Sequence, residues 1–340
     1  MTKAVHILAI ESSCDDTSAA VLEDNKVLSN LIATQSVHEE FGGVVPELAS
    51  REHQKNIVPV VDQALAKAGI DKKELNAIAY TNGPGLLGSL LVGTSFAKAF
   101  SLALDIPLIE VHHMQAHILA HFIQNSSDDG SPKFPLLCLT VSGGHTQIVR
   151  VDSSKEFKII GETRDDAAGE AFDKVAKILG LPYPGGPQID KLAAKGDPMK
   201  YSFPEASIEG FDMSFSGLKT AVLYFVRDEM EKDSTFIEKE IENICASVQH
   251  VIVQTLIGKL ERAAIQEGIT ELALAGGVSA NSALRKSFEE LCVEHSWNAH
   301  IPDFEYCTDN AAMIGIAGYF KFLNSEFGSL DNAPKARLSL

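Results

Sequence analysis

The sequence predicts an α/β fold in which one unit occurs twice, and three observations carry that prediction. An apolar strand that ends in glycines and runs into a helix occurs over residues 77–104, with Gly83-Pro84-Gly85 as its turn. The same order returns over residues 271–292, with Gly276-Gly277 as the turn. Each unit is preceded by short strands around a polar turn, Glu11 to Asp16 in the first copy and Ser142-Gly143-Gly144 in the second. The 340 residues, 45% apolar and 22% charged, are enough chain for about two domains with a substantial core.

In order, residues 5–10, 17–22 and 27–34 read as short antiparallel strands, the first two joined by the acidic turn. A helix over 57–68, a strand over 77–81, a helix over 86–104 and a strand over 107–111 complete the first copy. The second opens with strands over 135–141, 146–151 and 157–163 and a helix over 168–179, then continues with the strand over 271–275 and a helix over 281–292. The polar stretch 196–240 is read as a helical insertion. These readings give a first lobe over 1–125, completed by a C-terminal helix at about 308–325, and a second lobe over 126–307. The soft segment 124–133 marks the boundary, and a central cleft between the lobes is the expected place for chemistry.

Charge and cysteine usage narrow the function. Lys and Arg number 29 against 46 Asp and Glu, a net charge of −17, so the summed field repels polyanions and a lone nucleic-acid binder is disfavoured. Five scattered cysteines with no CxxC pair indicate neither a disulfide framework nor a cysteine zinc site, and fit a reducing, cytoplasmic compartment. The apolar start contains His6, runs into Glu11 and lacks a cleavage site, so no signal peptide is expected. The most membrane-like window, 86–104, carries Lys98 and several small polar residues, and reads as a buried helix rather than a span.

Five constellations could carry chemistry, each with a plainer alternative. The turn Ser142-Gly143-Gly144-His145-Thr146 could bring backbone N–H groups to an anion, or be only a glycine hairpin. Gly276-Gly277-Val278-Ser279-Ala280-Asn281 stands between strand and helix, where an anion or nucleotide is favoured, yet Asn281 or Ser279 could simply cap the helix. Neither this turn nor Gly83-Pro84-Gly85 matches GxGxxG or a Walker loop. In His112-His113-Met114-Gln115-Ala116-His117, a helix start would put His113 and His117 one turn apart, a spacing that can chelate a metal or make ordinary hydrogen bonds. Met114 stands where a metalloprotease helix needs its glutamate base. Asp309 could be a third ligand or the cap of the following helix. Asp165, Asp166, Asp173 and Asp190 surround the rigid turn Tyr183-Pro184-Gly185-Gly186-Pro187, with Asp165-Asp166 taken as solvated surface acids. Glu11, Asp15 and Asp16 could bind a cation, serve as a base, or only build the first turn.

Together these segments resemble one family, the universal tRNA threonylcarbamoyl-adenosine transferases, formerly called O-sialoglycoprotein endopeptidases. The stretches 9–17 and 41–51, Gly83-Pro84-Gly85, His112-His113-Met114, Val141 to Thr146, Asp165 to Lys174, Phe215-Ser216-Gly217-Leu218-Lys219-Thr220, Gly276 to Asn281 and Cys307-Thr308-Asp309-Asn310 carry the resemblance in the family's order. His145 after the double glycine and the lack of a fused kinase domain resemble the bacterial and organellar branch. Asp16 stands where many bacterial members have Glu, and Gln115-Ala116 replaces a common Glu-Gly; neither removes a ligand.

The resemblance implies the fold of actin, sugar kinases and heat-shock chaperone ATPases. It implies metal ligands at His113, His117 and Asp309, and substrate contacts at Thr140, Val141, Ser142, Gly143, Gly144, Asp173, Gly186, Asp190 and Asn281. The implied reaction moves an L-threonylcarbamoyl group from threonylcarbamoyl-adenylate to the N6 amine of the adenosine 3′ of the anticodon, in tRNAs reading ANN codons, and releases AMP. Two histidines and a carboxylate suit Fe(II), and Zn²⁺ takes the same ligands. Asp15 is the candidate for removing the amine proton. The implied partners are tRNA, a degenerate paralogue of the same fold and a small P-loop ATPase, with no membrane. The rival readings are an actin-like or sugar-kinase-like ATPase, a metallopeptidase and a non-enzymatic scaffold.

Overall fold

Strands buried on both faces must be apolar throughout and covered by helices, and the computed structural model shows that arrangement twice. It describes residues 4–41, 43–124 and 130–340, so residues 1–3, Gly42 and the middle of the soft segment 124–133, residues 125–129, lie outside the described residues. The chain forms two units, Met1–Pro132 with Pro302–Leu340, and Lys133–Ile301. The first unit begins with β1 (His6–Glu11), β2 (Thr17–Glu23), β3 (Lys26–Ala33), α1 (Pro46–Ala68), β4 (Ala77–Gly83), α2 (Leu87–Leu104), β5 (Leu108–His112) and α3 (His113–Leu119). The second holds β6 (Leu136–Val141), β7 (Thr146–Ser153), β8 (Glu156–Glu162), α4 (Ala168–Ile178), α5 (Gly185–Ala193), α6 (Ser216–Lys232), α7 (Phe236–Glu267), β9 (Glu271–Ala275), α8 (Ser282–His295) and β10 (Asn298–His300). The chain then returns to the first unit with α9 (Phe304–Cys307) and α10 (Ala311–Leu323).

The duplication holds strand for strand. One sheet has the order β3-β2-β1-β4-β5 and the other β8-β7-β6-β9-β10. In each, the first three strands pair antiparallel and the last two add in parallel. The glycine turns also correspond. A Cβ on Gly85 would lie 2.5 Å from Ser13 O, at the turn after β1; one on Gly276, whose φ is +85°, would lie 2.5 Å from Val141 O, at the end of β6. In both copies the fourth strand therefore leaves the sheet pressed against the end of its central neighbour, and only glycine fits.

Two elements differ from their sequence reading for physical reasons. Helix α1 starts at Pro46 rather than near residue 57, because its buried stripe is Ala49, His53, Ile57, Val61 and Ala64, and the first two do not read as an apolar face. The helical part of 196–240 starts only at Ser216. Leu218 and Val222 of α6, with Ile244 and Val248 of α7, share one core with Leu137 and Leu139 of β6. Helix α2 is long and apolar enough to cross a membrane by length and composition, but it packs on α1 and β4. Its Lys98 Nζ donates to Leu330 O at 2.8 Å.

Candidate functional site

In the first unit, β5 delivers the chain to α3 with a histidine at the junction. His112 Nδ1 accepts from Met114 N at 3.1 Å, capping the helix, and its Nε2 donates to Leu338 O at 3.2 Å. Burial is the main reason its pKa is pushed down to about 4. Helix α3 then places His113 and His117 one turn apart, both buried, with ring centroids 4.8 Å apart. Asp309 Oδ1 lies 3.3 Å from His113 Nε2 and 3.1 Å from His117 Nε2. The cap of α10 is Asn310, whose Oδ1 accepts from Met313 N at 3.0 Å, so Asp309 does not serve as that cap.

These three residues fit a metal ion. Their ligating atoms lie within 4.8 Å of one another. Ligand atoms about 2.1 Å from a tetrahedral ion stand about 3.4 Å apart, close to the two measured separations. Among the described residues His117 Nδ1, buried, has no hydrogen-bond partner, which an ordinary structural histidine in this core would have found.

A buried carboxylate stands behind the pair. Glu11, at the end of β1 and fully buried, takes Thr81 Oγ1–H at 2.6 Å and His113 Nδ1 at 3.0 Å on Oε2, and Ser13 N–H on Oε1. Burial opposes charge on His113, but Asp309 and Glu11 outweigh it and hold its pKa well above the usual imidazole value. Burial likewise opposes charge on Glu11, and the facing His113 holds its pKa below the usual carboxylate value. The turn that follows is pinned. Ser13 O accepts from Leu86 N at 2.7 Å, and Cys14 O from Ser89 Oγ at 2.9 Å and His53 Nε2 at 3.0 Å. Half-buried Asp15 sits on this turn. Its neighbour Asp16 is pushed up to about 7, by burial first and then by Asp15 and Asp309.

The second unit carries a cavity of about 320 Å³, within the range of small-molecule sites. Of the residues implied as substrate contacts, Gly143, Asp173, Gly186, Asp190 and Asn281 line it; Phe172, Lys191 and Gly277 join them. Asp173 Oδ1 accepts from Gly185 N at 2.8 Å and Gly186 N at 3.4 Å, while burial raises its pKa. The turn at 183–187 is thus also the start of α5, with its first N–H groups on Asp173. Asp190 takes Ser282 N at 3.1 Å and Ser282 Oγ at 2.7 Å. Asn281 caps α8 through Leu284 N at 2.9 Å and gives its Nδ2–H to Gln249 Oε1 at 2.7 Å.

The remaining residues lie apart from that lining. Thr140 and Val141 are buried in β6, and Thr140 Oγ1 donates to Gln147 O at 3.3 Å. Ser142 Oγ accepts from Gly144 N at 3.3 Å and His145 N at 3.0 Å, so this hydroxyl closes its own turn. Asp165 is not a mere solvated acid, since it accepts from Phe215 N at 2.8 Å, Ser216 N at 3.2 Å and Ser216 Oγ at 2.7 Å, holding the start of α6. Asp166 pairs with Lys174 Nζ at 2.7 Å. Thr81 and Gln249 escape notice in the sequence, although a polar residue inside the apolar run of β4, and another among the buried positions of α7, are signals of that kind.

Known proteins resemble this chain over its whole length. A family model described as tRNA N6-adenosine threonylcarbamoyltransferase matches residues 26–316. A protein of that name from Christiangramia forsetii is 60% identical over 333 residues, 98% of each chain. One from Porphyromonas gingivalis is 54% identical over 341 residues, the whole of both. Among solved structures, full-length HypF in a phosphate- and nucleotide-bound form has a TM-score of 0.63 at 14% identity, covering 95% of this chain, which spans about half of HypF at 47%. The activator of 2-hydroxyisocaproyl-CoA dehydratase from Clostridium difficile has a TM-score of 0.51 at 12% identity, covering 95% of this chain and 97% of its own. At such identities these two likenesses speak for the fold alone, which is actin-like.

Proposed function

The chain belongs to the tRNA N6-adenosine threonylcarbamoyltransferase family, and we propose that it transfers L-threonylcarbamoyl from threonylcarbamoyl-adenylate to the N6 amine of the adenosine 3′ of the anticodon in tRNAs reading ANN codons. The observation that carries the metal-dependent form of this reading is the convergence of His113 and His117 on Asp309. Family membership supplies the reaction, and that triad supplies the reason for a divalent cation, Fe²⁺ by preference or Zn²⁺.

The amine is a poor nucleophile because its lone pair is delocalised into the purine. Rate must come from a good leaving group, close positioning and electrophilic help. In the transfer, a bond forms between N6 and the carbamoyl carbon, the bond from that carbon to the adenylate oxygen breaks, AMP departs, and N6 loses a proton. His113, His117 and Asp309 would hold the cation, which when bound would supply a Lewis acid for charge developing on oxygen. The second unit's cavity holds the adenylate: Asp173 and Asp190 offer carboxylate oxygens to ribose hydroxyls, and Gly143, Gly186 and Gly277 permit close approach of their backbones. Thr140, Val141, Ser142 and Gly144 belong to the same grip by shaping the strand end and the turn. Asp15, on its pinned turn, is the group assigned to take the amine proton.

The target base lies in a loop, so it can be splayed out without melting a duplex. With a net charge of −17 the chain alone gains little from counterion release, and tRNA docking is assigned to a composite surface with a degenerate paralogue of this fold and a small P-loop ATPase. A cytoplasmic site of action goes with this reading. The rival peptidase reading lacks its base, since the residue after His113 is the buried Met114. The test is transfer in vitro with purified tRNA, threonylcarbamoyl-adenylate and the metal-loaded protein, with and without those partners. Formation of the modified nucleoside and AMP in equal amounts is expected, and AMP release without nucleoside would overturn the reading.

A further inference from the structure

The two metal-binding histidines are not held alike. His117 Nε2 faces Asp309 at 3.1 Å and its Nδ1 has no hydrogen-bond partner among the described residues, whereas His113 is gripped from both sides. Its Nε2 faces Asp309 at 3.3 Å, and its Nδ1 lies 3.0 Å from Glu11 Oε2. Ser13 Oγ stands 3.3 Å from the same Nδ1, the longer of the two contacts. Glu11 has no exposed surface, and each of its oxygens is committed: Oε1 to Ser13 N–H, Oε2 to Thr81 Oγ1–H and His113. A carboxylate fixed from two directions cannot swing away from the imidazole it faces.

From this geometry we infer that Glu11 is a positioning residue for the metal centre, holding His113 as the Nδ1–H tautomer with its Nε2 lone pair aimed at the ion. An imidazole donates through one nitrogen and ligates through the other, so an acceptor on Nδ1 decides which nitrogen is free and makes it the more basic ligand. Glu11 acts through His113 and touches no substrate. The consequence is an asymmetric centre: His113 is set before the ion arrives, and His117 is oriented by packing and by the ion itself. The same carboxylate joins the centre to the turn that carries Asp15, because Ser13 N–H on that turn is one of its donors.

The inference rests on the proposed metal centre, so the test must separate the two. Full-length protein stripped with a chelator is titrated with Zn²⁺ against a chromophoric competitor, for wild type, His113→Ala, Glu11→Ala and Glu11→Gln. Histidine ¹⁵N spectra of the Zn²⁺-loaded wild type and Glu11→Gln proteins report which ring nitrogen keeps its proton. Wild type should bind one ion and His113→Ala should lose it. Glu11→Ala should weaken Zn²⁺ by about 10- to 100-fold. Glu11→Gln, whose amide oxygen can still accept from Nδ1–H, should recover part of that loss and keep the fold if the alanine variant does not. Wild-type Zn²⁺ affinity in Glu11→Gln together with Glu11→Ala, or an Nε2–H tautomer at His113 in the wild type, would overturn the inference while leaving the metal centre standing. A wild type that binds no Zn²⁺ through His113 would overturn both.

Discussion

The same corner of a duplicated fold is built from different groups in the two units. At the end of the central strand β1, the first unit places a buried carboxylate, Glu11, against His113 from the helix that follows β5, and Asp309 faces His113 and His117. After the corresponding strand β6, the second unit places Ser142-Gly143-Gly144, whose polar groups are largely backbone, and its carboxylates Asp173 and Asp190 are held by N–H and O–H groups rather than by cations. The difference teaches what each can bind. A cluster of charged donors with an orphaned imidazole nitrogen suits a cation, and a glycine-lined cavity with two neutral-partnered carboxylates suits hydroxyls and a close-lying backbone.

The largest expected effect breaks the first unit's side of the contrast. His113→Ala, His117→Ala and Asp309→Ala should each lower metal affinity by more than about 100-fold, beyond what loss of an outer partner costs, and abolish transfer. Metal analysis beside circular dichroism reads this, and α10 should keep its cap because Asn310 is untouched. Next, Gln249→Ala leaves the buried Asn281 Nδ2 without its acceptor. It should cost about 1–3 kcal/mol in urea unfolding and leave metal content unchanged. Asp190→Ala sharpens the second unit's role: if its oxygens meet ribose hydroxyls, KM for the adenylate rises about tenfold, roughly one charged hydrogen bond, with metal again unchanged. An unchanged KM would leave Asp190 with only its contact to Ser282.

The smallest effect concerns pH. Burial holds the His53 pKa below its ordinary 6.5, while Thr17 Oγ1–H at 2.8 Å fills its Nδ1. The unfolded chain therefore takes the proton first as pH falls below 6.5, so the stability from neutral His53 is complete above that pH and is lost between it and the folded pKa. His53→Gln should flatten that part of the melting profile between pH 7 and 5. An identical profile in the variant would assign the acid loss to other groups.

How far the sequence carried this picture varied with the kind of signal. The duplication is legible because apolar strands and glycine turns report backbone requirements directly, and the C-terminal helix expected at about 308–325 is α10 at 311–323. The His113, His117 and Asp309 set was reachable as a helix spacing plus one distant acid, but spacing could not say whether Asp309 or Asn310 capped the helix; only the fold brings residue 309 to α3. Helix α1 was read short because His53 occupies a buried stripe position for the sake of Thr17 and Cys14, a tertiary reason with no local trace. Gln249 and Thr81 show only as polar residues at apolar positions, and the partner that each serves is far away in sequence.

The central claim, transfer of threonylcarbamoyl to tRNA adenosine, is tested most directly in nucleosides from tRNA of cells depleted of this protein, measured by mass spectrometry. Threonylcarbamoyladenosine should disappear, return when the wild-type chain is supplied, and stay absent with the Asp309→Ala chain expressed at the same level. An undiminished amount of the modified nucleoside in the depleted cells would contradict the account.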